Sequence, residues 1–290
     1  MVRTALAAAV LLLPAASDAS DFWESLLSPG LPRYRTALRA GKEHMGRGEW
    51  GQALVQLERA AAAIPDRAEA HRLRGDVLHR LVRDEGAIDA WTRARALDPL
   101  LEHDAGLAFE FAISVTRLGR LDEAIAEYER IFAVTGPGHR LRSLAYCNAA
   151  ELVMARGPEQ IEEAIALYRE SLEERPANLL ALWGIALALE RAGRAPESGT
   201  ELERLRRSDP SLATLADEDV FFVPPEEVHA YRAIGFSAFG NLSGAVDAWH
   251  TFLGGAGAAG PWAAHARESL ATAEQRLARE PRRPPAGRSP

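Results

Sequence analysis

The sequence predicts an all-α chain, a solenoid of helix-turn-helix hairpins stacked side by side. Three observations predict it. A four-residue pattern recurs down the chain with its first two copies shifted by 34 residues at all four positions, an amphipathic segment precedes each copy, and turn glycines and prolines punctuate the series. Self-similarity of this period marks repeat architectures, in which each unit buries its apolar face only against its neighbours.

The pattern is a small residue, apolar residues four and seven positions on, and a proline about twelve on. It first reads Ala53, Leu57, Ala60 and Pro65, and the second copy is Ala87, Trp91, Ala94 and Pro99. Later copies are Ala124, Tyr128, Ile131 and Gly136, then Ala164, Tyr168, Ser171 and Pro176, then Ser198, Leu202, Leu205 and Pro210. A degenerate sixth has Ala245, Trp249 and Phe252. Residues four and seven apart share one helix face, and a small residue early in the second helix lets the two helices cross closely. Before each copy, a first helix ends at a turn glycine, Gly48, Gly119, Gly157, Gly193 or Gly240, with Asp84-Glu85-Gly86 serving in the second. Glycine there takes the left-handed conformation that stops a helix.

The elements follow in order. Met1–Arg3 is a short positive start, 4–13 an apolar run and 14–19 a small-residue stretch. That run is too short for a bilayer core, so 1–19 reads as a signal peptide cleaved after Ala19, or after Ser17. Residues 20–33 form a linker and 34–210 the five hairpins. Gly157-Pro158-Glu159-Gln160 lengthens one turn. Residues 211–225 are an inserted loop bearing Phe221 and Phe222, which pack on a neighbouring helix or plug a groove. The sixth hairpin spans 226–257. Residues 258–279 hold a capping helix, apolar at Trp262, Ala266, Leu270, Ala273 and Leu277, and 280–290 is a disordered Pro/Arg-rich tail.

Gly41 and Gly75 in first helices, the alanines at 53, 87, 124 and 164, the aromatics Trp91, Tyr128 and Tyr168, and the prolines at 65, 99, 176 and 210 resemble the tetratricopeptide repeat family. The resemblance covers roughly residues 34–257 and implies a right-handed superhelix whose first helices line a concave groove for a peptide or helix. On that placement the groove takes Arg72, Asp76, His79 and Arg80 from the second hairpin, and Phe109, Ile113 and Arg117 from the third. The fourth supplies Cys147, Glu151 and Met154, and the fifth Trp183 and Leu187. The family's carboxylate clamp for acidic tails is not reproduced: Asn148 stands at one of its positions, Arg72 replaces a lysine, and the rest is missing.

Composition narrows the function. Formal charge is −7 with a pI of about 5.7, so the counterion release that drives nucleic-acid binding is not available. Lys42 is the single lysine among 34 basic residues, a bias in keeping with GC-rich coding. Cys147, the one cysteine, excludes an internal disulfide and is expected as a buried small hydrophobe. Gly255 to Gly260 spells G-x-G-x-x-G, but it follows a helix with no strand before it, so an inter-helix turn is expected. His71 and His79 lie two helical turns apart, too far to share an ion, and no metal or cofactor is expected. No nucleophile motif occurs, and the chain reads as a non-catalytic adaptor for a protein or peptide partner in the cell envelope. Alternatives are a structural subunit of an oligomeric envelope assembly and an accessory module for a separate envelope enzyme.

Overall fold

In the computed structural model the described residues are 29–134, 136, 138–217, 220 and 222–279; the expected signal peptide, most of the expected 20–33 linker and the expected 280–290 tail lie outside them. Among the described residues there are thirteen α-helices and no strand. They are α1 (Leu31–Gly46), α2 (Trp50–Ala63), α3 (Ala68–Arg80), α4 (Asp84–Leu97), α5 (Ala105–Arg117), α6 (Leu121–Ala133) and α7 (His139–Arg156). There follow α8 (Ile161–Glu174), α9 (Leu179–Arg191), α10 (Ala195–Ser208), α11 (Glu227–Ala238), α12 (Leu242–Gly254) and α13 (Ala263–Arg279). The chain divides into two compact units, parted between Arg120 and Leu121.

The first unit holds α1–α5. Helices pack in chain order: α1 on α2, α2 on α3, α3 on α4 and α4 on α5. The predicted small residues sit where the helices cross. A Cβ on Gly41 would stand 2.9 Å from Leu57, and one on Gly75 would stand 2.4 Å from the Trp91 indole. Trp91 is fully buried between those crossings, and its Nε1 donates to Asp76 Oδ1 at 2.9 Å. That bond satisfies the one polar group of an otherwise apolar side chain. Asp104 caps α5 by accepting from the Leu107 amide at 3.0 Å.

The second hairpin departs from the expected turn. Gly48, Gly119, Gly157, Gly193 and Gly240 all have positive φ, as predicted. Gly86 does not serve in this way, because it lies inside α4. Val82, 34 positions after Gly48, takes φ +56 instead. The turn closes over a β-branched residue because the hairpin register, rather than the local sequence, fixes where the chain must reverse.

The second unit holds α6–α13. Here α6 packs on α7, α7 on α8, α8 on α9, α9 on α10, α11 on α12 and α12 on α13. Helix α9 also touches α7 and α11. Phe132 of α6 stacks on Tyr146 of α7 with centroids 4.0 Å apart. A Cβ on Gly184 would fall 2.1 Å from Tyr168, so α8 and α9 cross closely there. Ser143, Ser171 and Asn178 are buried together and bond one another, tying α7, α8 and the start of α9 through satisfied polar groups. Cys147 is buried, and burial raises its thiol far above the ordinary value, so it is the inert small hydrophobe expected.

The inserted loop is organised by Asp209, which accepts from the Ala213 amide at 2.8 Å and from Trp183 Nε1 at 2.9 Å. Phe222 packs its ring against Tyr231 of α11 at 5.2 Å, the neighbouring-helix placement; Phe221 lies outside the described residues. The glycine-rich stretch is a turn between α12 and α13, with one 3-10 turn at Ala256–Ala258.

Candidate functional site

Two faces built from first helices carry the candidate residues, one in each unit, and they differ in character. In the first unit, Arg72, Asp76 and Arg80 stand four residues apart along α3. Phe109, Ile113 and Arg117 do the same along α5, so each set shares one helix face. Arg80 and Arg117 are exposed, while Arg72, Asp76, Phe109 and Ile113 are half-buried. Arg72 lies 3.6 Å from Asp104 at the start of α5. Glu110 of α5, which sequence reasoning did not select, joins this group. Burial raises its carboxyl above the usual range and the charge of Asp76 adds to this, with Arg80 and Arg72 opposing. Burial likewise raises Asp76, opposed by its bond from Trp91. Alternating charges around two half-buried apolar side chains make a surface charged at its rim and apolar at its centre.

His79 does not belong to that surface. It is buried, and its Nδ1 donates to Ser114 Oγ at 2.8 Å, which in turn donates to Asp84 Oδ1 at 2.8 Å. Arg117 Nη1 reaches the same Asp84 oxygen at 3.3 Å. Burial, aided by the Arg117 charge, pushes His79 down to about 4, so it is neutral at physiological pH and joins α3, α4 and α5 structurally.

In the second unit the expected groove residues are inside the protein. Met154 and Trp183 are each 1 % exposed and Leu187 is 0 % exposed, so these three pack the unit's own core. The correction has a physical cause: the unit closes on itself. Tyr231 of α11 donates to Glu151 Oε2 of α7, and Tyr168 donates to the same oxygen at 2.9 Å, while Glu151 Oε1 is buried with no partner. Burial, with the nearby Glu227 charge, pushes the Glu151 carboxyl up to about 7. Beside it, Arg191 of α9 pairs with Glu227 of α11 at 2.7 Å, both side chains almost fully enclosed. Trp262, just before α13, donates its Nε1 to the Met154 carbonyl at 2.9 Å. Sequence reasoning missed Tyr231, Arg191 and Glu227, and picked out Trp262 only as part of the apolar side of the capping helix. The arginine ending the apolar run Leu179–Leu189 was the one hint available.

Asn148, at a clamp position, donates to Tyr128 Oη at 3.0 Å and is engaged within its own unit. His71 bonds the Pro65 carbonyl at 2.9 Å. Among the described residues no group of three or more His, Cys, Asp or Glu could hold a metal ion, and no helix is long and apolar enough to cross a membrane.

Comparison with known proteins gives the following. The family model described as tetratricopeptide repeat matches residues 38–102 and 155–213. No curated protein sequence matches the chain. A tetratricopeptide repeat protein from Parabacteroides merdae superposes with a TM-score of 0.57 at 15% identity, covering 87% of this chain and 95% of that one. The MamA protein gives 0.55 at 17% identity, with 63% of this chain and 94% of that one covered. PilW, a widely conserved type IV pilus biogenesis factor, gives 0.51 at 17% identity, with 82% and 97% covered. At such identities the likeness is one of fold.

Proposed function

The chain is a tetratricopeptide repeat protein, a protein-interaction scaffold by fold, and from that premise we propose that it is an exported adaptor whose first unit grips a segment of a partner protein. The observation that carries the reading is the contrast between the two faces. Arg72, Arg80, Phe109, Glu110, Ile113 and Arg117 are at least partly exposed in the first unit, whereas Met154, Trp183 and Leu187 are enclosed in the second. A mixed-charge surface with an apolar centre suits an amphipathic or extended segment carrying both signs of charge. Nothing in that set pairs a nucleophile with a base, so binding is the chemistry it supports. The start of the sequence supports export: a basic residue at Arg3, an apolar run over 4–13 and small residues up to Ala19.

Affinity capture from an envelope extract tests the reading. Arg80→Glu combined with Ile113→Thr should reduce the captured partner at least about tenfold, since central contacts of this kind are each worth about 1–2 kcal/mol. Undiminished capture by the double variant, with helicity intact, would exclude this face. N-terminal sequencing of the mature protein tests export, with Ser20 as the expected first residue.

A further inference from the structure

The seat of Trp262 is built without help from the helix that fills it. Its floor is the Met154 carbonyl at the end of α7, and the preceding Pro261 lies against Gly157, where a Cβ would stand 3.1 Å from it. One wall is Arg191, whose guanidinium lies 4.6 Å from the centre of the indole ring and is held there by Glu227. Met154, Gly157, Arg191 and Glu227 all precede the tether Gly254–Gly260, whose sequence is Gly-Gly-Ala-Gly-Ala-Ala-Gly. Beyond Trp262, α13 is held by His265 edge-on against Trp249 and by polar contacts at the surface, Arg276 to Ser237 and His250 to Glu274. The buried residues of α13 are Ala263, Ala266 and Ala273, and a cavity of about 660 Å³ remains, lined by Glu190, Leu202, Ile234, Trp249, His265 and Thr272 among others. Trp262 is thus the one large side chain fully enclosed at this end of the chain among the described residues, and the helix it leads buries only alanines fully.

The seat also offers more than Trp262 uses. The indole supplies a ring for Arg191 and a donor for the Met154 carbonyl, yet the enclosed Arg191 keeps Nε and Nη1 without an acceptor. A buried guanidinium with two idle donors favours a ligand that brings an oxygen acceptor, best a carboxylate. We propose that α13 is a displaceable strap, and that the site under Trp262 receives a partner segment carrying an indole beside a carboxylate. The proposal rests on the adaptor reading and adds a second docking site to it, one occupied by the chain's own tail until a better-matched segment arrives.

Hydrogen exchange on the full chain is the first test. Amides of α13 should exchange through local opening, with protection at least about 100-fold below those of α9; equal protection overturns the strap. The second test uses N-acetyltryptophan and the full chain carrying Trp262→Gly. The free acid should bind and raise the melting temperature, the corresponding amide should bind at least about tenfold more weakly, and the wild-type chain should bind more weakly than the variant. Equal binding of acid and amide, or no binding to a folded variant, overturns the ligand assignment. Should the variant not fold, competition by N-acetyltryptophan that speeds α13 exchange in the wild-type chain decides the matter, and an unchanged rate counts against it. Neither readout depends on Arg80 or Ile113, so a failure here is distinct from a failure of the first-unit site.

Discussion

Val82 is the residue whose backbone and side chain disagree. It is 66 % exposed, so its side chain gains little from burial, and its left-handed φ of +56 crowds a branched Cβ. Val82→Gly should therefore raise stability by about 1 kcal/mol, read as a higher urea midpoint with an unchanged slope. Glu151 carries a different conflict. It keeps its proton in the folded chain up to about pH 7, whereas an unfolded glutamate loses it near 4.5. Folding stability from this group therefore falls as pH rises from about 4.5 to about 7 and is level above that. Glu151→Gln retains an acceptor for the two tyrosines and removes the ionisable group. The variant should gain roughly 2–3 kcal/mol over wild type at pH 7.5 and almost nothing at pH 4, by parallel thermal melts at both pH values. Trp183→Glu, attractive as a test of binding while the residue was expected in a groove, places a charge in the core beside Asp209 and should unfold the second unit instead.

At the scale of elements, the crossings decide what a methyl group does. Gly51 in α2 has open space where a Cβ would go, and Gly184 in α9 has the Tyr168 ring. The same substitution should thus have opposite signs: Gly51→Ala stabilises by about 0.5–1 kcal/mol through helix propensity, while Gly184→Ala costs about 2–3 kcal/mol or more by forcing α8 and α9 apart. Denaturant unfolding of the two variants reads the difference. These crossings were legible beforehand, because the small residue, the facing aromatic and the turn glycine recur at set intervals. Arg72, Asp76, Arg80, Phe109, Ile113 and Arg117 were assigned to one face through the tetratricopeptide resemblance, and helix periodicity does set each three on one side of α3 and of α5. The enclosure of Met154 and Trp183 was not legible, because Trp183 packs against Gly235 and Phe239 and Met154 meets Trp262, residues whose positions carry no repeat that points back to α7 or α9.

For the molecule as a whole, the two units are held by contacts of different range. In the first, side-chain bonds among the described residues reach no further than one or two helices along, as from His79 of α3 to Ser114 of α5, 35 residues on. In the second, Tyr231 of α11 reaches Glu151 of α7 across 80 residues. Nearest-neighbour stacks open repeat by repeat, whereas a body tied end to end opens as one. Exchange protection should therefore decline stepwise from α4 toward α1 in the first unit and be nearly uniform over α7–α12 in the second. A uniform first unit or a graded second one would contradict this division of labour.

The bond between Glu151 and Tyr231 also sets an order in time. On the ribosome, at about 5–20 residues per second, roughly 4–16 s pass between the synthesis of one partner and that of the other. Throughout that interval the carboxyl has no tyrosine from α11 to receive it, and it stays wet and ionised. The last hairpin to be made is thus the one that dries the middle of the unit, and a nascent chain halted before Tyr231 would carry a hydrated notch where the finished protein has a protonated acid.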